Sequence, residues 1–351
     1  MEIRIYDADL NFMGLIENQT SLLWTRKYFE TGTFELHCPI TDFNRKLVKL
    51  GCLVWKKEAT EAGVIEDIKL TENSTSNEIT AKGRFLESYM DRRLIRPLYN
   101  ISAGLVETAM REILSNAVAI PNVQLGTVQG YTETVTFQAA YKNLLSYEIK
   151  LSKSSNIGFR FRPDFTAKTI TFELYKGLDR SISQADRNRV IFSDSYNNIN
   201  DASYSKNDQL QKTVCYVGGS GEGTAKIYVT AGDDTLAGLE RRETYIDASD
   251  VTSDDITDAE YKAALVQRGQ TELDADALSE SFECTTEADS NFKYKSGYDL
   301  GDIVTLQKKG WGVSEDLRIT EITETYENGA MTVSPTLGTP LPETIDWQEN
   351  S

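Results

Sequence analysis

Alternation of apolar and polar positions organises the first part of the chain. Met1-Glu2-Ile3-Arg4-Ile5-Tyr6-Asp7 puts apolar side chains on every second residue, the period of a half-buried strand. Further short strands are predicted at Phe12 to Ile16, Ser21 to Tyr28, Thr33 to Cys38, Cys52 to Trp55, Val64 to Leu70 and Glu78 to Ala81. Asn11 and Gly14 mark turns near Phe12 to Ile16. Short, regularly spaced strands point to a barrel or sandwich over 1–95.

The pattern changes over 96–185. Ser102 is placed to cap a helix with an apolar stripe of Val106, Met110, Ile113, Leu114 and Ala117. A second helix is expected from Ala139 to about Ser152, burying Tyr141, Leu144, Leu145 and the stem of Glu148. Gly158 to Arg162 and Thr169 to Leu174 alternate as two strands, with Pro163-Asp164 helping the turn. Strands return over 186–240, at Val190 to Phe192, Ile199 to Tyr204, Val214 to Val217 and Ala225 to Thr230. A helical insertion fills 241–281. It is opened by the capping box Thr257-Asp258-Ala259-Glu260, and a break is possible at Gly269. Residues 282–351 complete the second strand region and end in a short tail. The expected fold is thus a β-rich α+β one: two similar β-barrel domains, an inserted α+β module and a helical insertion.

The similarity of the two strand regions rests on Leu50-Gly51-Cys52-Leu53-Val54-Trp55-Lys56-Lys57 and Leu300-Gly301-Asp302-Ile303-Val304-Thr305-Leu306-Gln307-Lys308-Lys309. Each block is followed by a second strand, Val64 to Ile68 or Arg318 to Ile322. Ile79 then follows Ile65 at the same spacing as Val333 follows Ile319. Short β meanders resemble one another by composition, so the repeat is an expectation for the structure to decide. A chain that carries one unit twice can match three copies of itself to six-fold symmetry.

Charge and rare residues narrow the chemistry. The 351 residues carry 37 Lys+Arg against 54 Asp+Glu, a net charge of -17. That balance opposes gripping a duplex, which needs a basic face, yet suits a surface that nucleic acid slides past. No run approaches the 18 apolar residues of a spanning helix, and no signal peptide is read at the start. Cys38, Cys52, Cys215 and Cys284 lack metal or redox spacing and are expected as buried thiols. The single histidine, His37, rules out a zinc site with two imidazoles and must serve any Ser-His or Cys-His pair. In an alternating strand it reads as a structural residue. Gly218-Gly219-Ser220-Gly221-Glu222-Gly223 is followed by a strand pattern, not the helix a phosphate loop requires, and reads as a hairpin loop. Asp247, Asp250, Asp254, Asp255 and Asp258 lack calcium-loop spacing and suit a helix N-terminus. No catalytic residue, cofactor site or metal site is identified.

Several phrases in order resemble one family. They are Met1 to Leu10, Gly32-Thr33-Phe34-Glu35-Leu36, Gly83-Arg84-Phe85-Leu86-Glu87-Ser88-Tyr89, Gly221-Glu222-Gly223, Leu239-Glu240-Arg241-Arg242-Glu243, Tyr298 to Val304 and Arg318 to Ile322. Together they are similar to the tail-hub or tail-tip proteins of long non-contractile bacteriophage tails, and in plan to the baseplate hubs of contractile ones. The resemblance implies a non-enzymatic virion protein at the tail tip, made in the bacterial host cytoplasm. It implies a homotrimer whose paired barrels form a pseudo-hexameric ring. The implied partners are a hexameric distal tail protein, the tape-measure protein, receptor-binding or fibre proteins, and genome DNA passing through the channel without specific binding. Larger relatives carry C-terminal extensions that bind the host or cut peptidoglycan; ending at Ser351 makes an enzymatic role less expected. A receptor- or carbohydrate-binding adhesin and a tail-tip cell-wall hydrolase remain the alternatives. The paired hairpins nominate Val54, Trp55, Val304 and Leu306 as interface residues.

Overall fold

The computed structural model describes residues 1–73, 77–196, 198–253, 256–285, 292–327 and 329–338. The chain opens with β1 (Ile3–Tyr6), β2 (Phe12–Ile16), β3 (Ser21–Lys27) and β4 (Thr33–Pro39). Helix α1 (Asp42–Leu47), capped by the Thr41 hydroxyl, leads to β5 (Leu53–Lys56), β6 (Gly63–Val64), β7 (Asp67–Glu72) and β8 (Asn77–Arg84). A middle module follows: β9 (Leu94–Leu105), α2 (Val106–Asn116), β10 (Val123–Leu125), β11 (Thr134–Asn143), α3 (Leu144–Ser155), β12 (Gly158–Asp164) and β13 (Thr169–Tyr175). Then come β14 (Ile191–Ser193), β15 (Asn200–Asn207), β16 (Val214–Gly218), β17 (Tyr228–Gly232), β18 (Glu243–Asp247) and α4 (Asp258–Ala275). The chain closes with β19 (Ser279–Thr285), β20 (Ile303–Lys308), β21 (Val313–Glu327) and β22 (Ala330–Gly338).

Eight strands line up in one continuous sheet, in the order β15-β19-β22-β21-β3-β4-β8-β7. The first and last parts of the chain therefore share a sheet. No closed barrel forms among the described residues, which corrects the expectation of two self-contained barrels. The reason is the β21–β3 pairing: it uses the edges that each half would need to close on itself. A β-rich fold with an α+β module and a helical insertion is retained.

Buried side chains gather on the inner face of each half. Trp24, Phe34, Leu36, Val54, Ile79 and Phe85 fill the first, and Phe192, Phe282, Val304, Leu306, Ile319 and Leu337 the second. Fully burying each such side chain contributes about 1.5–3 kcal/mol. A further core joins α2, α3, β12 and β13 through Met110, Ile113, Leu144, Phe159 and Phe172. Another lies under α4, with Cys215, Val217, Tyr261 and Leu265. No helix among the described residues is long and apolar enough to cross a membrane.

The two helices of the middle module start later than the sequence pattern places them. Ser102 lies inside β9, and α2 begins at Val106 with no side-chain cap. Ala139 lies inside β11, and α3 begins at Leu144 behind an Asn143 cap. Tyr141 is exposed with a positive φ of 53°, not buried. The cause is the β9–β11 pairing, a long antiparallel ribbon that recruits residues whose local pattern also suits a helix. The buried stripe of α2 (Val106, Met110, Ile113, Leu114) is as expected. The strand expected at Ala225 begins instead at Tyr228. Helix α4 runs unbroken through Gly269, behind the predicted capping box. A Cβ at Gly269 would stand 2.6 Å from Val217 Cγ2 and 2.7 Å from Ala231 Cβ, so glycine there reflects close helix–sheet approach.

Candidate functional site: two open sheet edges

The sequence repeat is a repeat of hydrogen bonds. Gly51 N–H donates to Ile65 O and Ile65 N–H to Cys52 O, both at 2.8 Å. Gly301 N–H donates to Ile319 O and Ile319 N–H to Asp302 O, again at 2.8 Å. Gly51 and Gly301 take positive φ values of 80° and 91°, the left-handed turn that favours glycine. Strand registers repeat as well. Leu53 opposes Val64, as Ile303 opposes Arg318. Asp67–Lys82 and Leu70–Ile79 on β7–β8 correspond to Glu321–Thr336 and Glu324–Val333 on β21–β22.

The repeat also includes strands that the sequence comparison did not pair. Phe34 opposes Gly83 and Trp24, and Phe282 likewise opposes Leu337 and Tyr204. Thr33-Phe34-Glu35-Leu36 therefore matches Ser281-Phe282-Glu283-Cys284. The shared Phe-Glu was the signal available. It was hidden because residues 28–32 join β3 to β4, whereas 208–278 separate β15 from β19 and carry β16, β17, β18 and α4.

Each half is thus a four-stranded unit, β3-β4-β8-β7 or β15-β19-β22-β21. The units join head to tail where β21 pairs β3. This junction is charged on its inner face. Lys56, from β5, donates to Glu324 and, at 2.9 Å, to the Tyr326 hydroxyl. Tyr294 donates to the other Glu324 oxygen at 3.0 Å. Arg26 forks onto Glu61 at 2.8 Å and reaches Asp299 at 2.6 Å. Burial lowers the Lys56 ammonium to about 8 despite its carboxylate partner. Burial alone would raise Glu324, but Lys56 and Tyr326 outweigh it and hold the carboxyl below its ordinary value.

The same join is missing at the two ends of the sheet. Among the described residues β7 pairs only β8, and β15 only β19. Leu70 on β7 is 52% exposed. Its repeat partner Glu324, flanked by β3, is 1% exposed. Unpaired strand edges expose rows of N–H and C=O groups ready to accept another strand. Here the two open edges are the two faces of a junction that the chain already forms once.

The nominated interface residues lie elsewhere. Val54 is buried in the first core, and Val304 and Leu306 in the second, with no side-chain surface exposed. Trp55 is half-buried and donates its indole N–H to Ala59 O at 3.0 Å. The structure keeps these side chains apart. It makes Val54 and Val304 equivalent by repeat, and puts Leu306 at the position that Lys56 holds under the charged junction.

Other candidates resolve into structural roles. His37 sits between Glu78 at Nδ1 and Glu35 at Nε2, both 2.8 Å away. Burial opposes its protonation, but the two carboxylates prevail and raise its pKa above the ordinary value. All four cysteines are free and buried. Burial raises the Cys284 thiol to about 12 and Cys38 and Cys215 to about 11. The glycine-rich segment after Gly218 joins β16 to β17. Asp247 pairs with Lys226 at 2.5 Å and Asp250 with Lys142 at 3.0 Å; Asp254 and Asp255 lie outside the described residues. A groove of about 700 Å³ between β1–β2 and the β12–β13 hairpin contains Glu2 and Asp164. Arg4 engages Glu2 at 2.6 Å, and backbone N–H groups of Thr166 and Ala167 engage Asp164 at 2.9 Å. Tyr6 is stacked on Phe165 at 3.7 Å, so its face is covered.

Residues 2–339 match the family model described as siphovirus ReqiPepy6 Gp37-like protein. The chain belongs to that family. No curated protein matches it. Among solved structures, the tail protein from Neisseria meningitidis MC58 is similar with a TM-score of 0.60 at 11% identity, covering 96% of each chain. The 43 kDa tail protein of prophage MuSo2 from Shewanella oneidensis gives 0.60 at 14% identity, covering 96% of this chain and 98% of that one. Prophage tail protein gp18 from Listeria monocytogenes EGD-e gives 0.57 at 13%, covering 98% and 96%. At these identities the likeness is one of fold. The tail-protein resemblance read from the sequence therefore holds for family and fold in this Gp37-like chain.

Proposed function

We propose that this Gp37-like protein is a structural component of the distal end of a phage tail. Three copies form a ring of six similar units, which matches a hexameric tail tube to three-fold tip components. The observation that carries this reading is the pair of complementary open edges, β7 and β15, at the ends of a sheet built from one unit used twice. Head-to-tail pairing buries both edges in every copy and leaves none in a closed ring. The insertion 208–278 occurs once per chain, so it appears three times around the ring and supplies the three-fold feature. A net charge of -17 per chain gives about -51 for three copies (3 × 17), a field that keeps DNA and a tape-measure protein moving through a central channel. The work proposed is assembly: Glu2 and Asp164 in the groove are engaged by Arg4 and by backbone N–H groups, and burial raises all four cysteine thiols above their ordinary value.

Light scattering of the purified chain and negative-stain imaging test this reading. The expected particle has a mass of about 118 kDa (three times 39.4 kDa) and a central hole. A chain that stays monomeric both alone and with its tail-tube partner overturns it. One observation favours the adhesin reading. Tyr228 and Tyr245 stand 59% and 52% exposed on the β16–β18 sheet, on either side of half-buried Tyr216 and facing away from α4. Binding of the isolated chain to host cells, lost on replacing both exposed tyrosines with alanine, would support that role.

A further inference from the structure

The repeat allows the register of the missing junction to be written down. Within the chain, Ile322 opposes Arg26, Glu324 opposes Trp24 and Tyr326 opposes Leu22. Replacing each residue by its repeat partner gives Ile68 opposite Lys206, Leu70 opposite Tyr204 and Glu72 opposite Ala202. Under the junction, Leu306 takes the place of Lys56. We infer that copies join by antiparallel pairing of β7 in one copy with β15 in the next, with Leu70 opposite Tyr204. This rests on the ring proposed above and adds its interface.

The chemistry of the two junctions is different at the central position. The internal one holds Lys56, Glu324 and Trp24, a buried ion pair beside an indole. The external one holds Leu70 and Tyr204, above a Leu306 that the second core already covers. Leu70 is the exposed apolar side chain on the edge strand Asp67-Ile68-Lys69-Leu70-Thr71-Glu72, whose other apolar residue, Ile68, is half-buried against the first core. On the facing edge, Tyr204 is half-buried against the second core, with its hydroxyl held by Glu280. Apolar contact is the chemistry suited to a joint that must form between separate chains, because charged partners must first shed water. The charged set in turn disfavours exchange. A foreign β7 replacing β21 would put Leu70 against Lys56 and leave that ammonium buried and unpaired. The internal joint is thereby kept internal, and the external one is left to partners.

Cysteine cross-linking tests the register. Leu70→Cys in one preparation is mixed with Tyr204→Cys in another and oxidised; the four native thiols are buried. Directly opposed cross-strand pairs lie within reach of a disulfide, and diagonal ones lie beyond it. The expected result is a two-chain product at least fivefold more abundant than with Ala202→Cys or Lys206→Cys in place of Tyr204→Cys. The doubly substituted chain should give a ladder ending at three. Light scattering of the unsubstituted chain with its tail-tube partner is run alongside. If rings form but cross-linking favours 202 or 206, or none occurs, the junction is wrong and the ring survives. If no ring forms, both readings fall. Leu70→Lys alone should abolish assembly while the separated chain still unfolds in a cooperative melt, whereas Leu70→Met should retain assembly; equal assembly by both variants would overturn the apolar contact.

Discussion

The buried pair Lys56–Glu324 offers the sharpest test of how the two halves are held together. Both side chains are nearly inaccessible, at 4% and 1%, and each is the other's charge partner. Replacing Lys56 with leucine leaves the Glu324 carboxyl among Tyr294, Tyr326 and the more distant Lys295; replacing Glu324 leaves the Lys56 ammonium facing Trp24 and Tyr326. Each single change should cost about 3–5 kcal/mol, the usual loss when one member of a buried pair is removed. The double variant Lys56→Leu/Glu324→Leu has a natural precedent in this chain, since Leu306 and Leu70 occupy the equivalent positions. It should fall within about 1 kcal/mol of the unsubstituted chain, because apolar replacements of whole buried pairs are often neutral or stabilising. Urea unfolding of all four proteins, followed by tryptophan fluorescence, gives the cycle, with Trp24 reporting directly on the junction. Simple additivity, with the double variant losing about 6–10 kcal/mol, would refute the reasoning: the two groups would then not compensate each other.

Three more outcomes follow from the structure. His37 is the chain's one histidine, so its imidazole proton signals can be followed by NMR without ambiguity. Its pKa should lie above 6.5 and fall on Glu78→Gln; its contribution to stability should be fully present below 6.5 and disappear as pH rises through the folded-state value. Gly269→Ala should destabilise by about 1–3 kcal/mol through overpacking against Val217 and Ala231, although alanine improves helix propensity by about 1 kcal/mol; a thermal melt showing a gain would contradict the close approach. Glu148 lies fully buried in α3, with no hydrogen-bond partner for either carboxyl oxygen among the described residues, and burial drives its pKa well above 4.5. Its folded-state proton makes stability fall as pH rises from 4.5 towards the raised value, so Glu148→Met should stabilise, and more at pH 8 than at pH 4 in denaturant titrations.

How far the fold was legible depended on how local each signal was. Thr33 to Cys38 forms a strand as its alternation predicts, because one face meets a core and the other water. The Thr257–Glu260 capping box starts α4 as written, since both of its hydrogen bonds close within four residues. Ser102 and Ala139 were misplaced because their strand pairing is settled between residues far apart: Leu98 opposes Ala140 and Leu105 opposes Thr134. Local propensity has no access to that partner. The repeat was visible at Gly51 and Gly301, where a positive φ selects glycine. It was invisible at Phe34 and Phe282, where a long insertion removes the spacing.

The sequence by itself determined strand-rich patterning, cysteines without metal or redox spacing, a lone histidine in an alternating segment and an acidic balance, and it raised the repeat as an expectation. These follow from side-chain chemistry and from periods of two or 3.6 residues, which any short window contains. Only the tertiary structure decided which edges are spent and which are open. Ile322 and Ile68 are repeat partners with the same side chain; one is buried because β3 lies beside β21, and the other is half-exposed because no strand among the described residues pairs the outer edge of β7. Pairing of that kind is a contest among all the strands for the same N–H and C=O groups, and its outcome is set by the whole sheet, not by any segment of it.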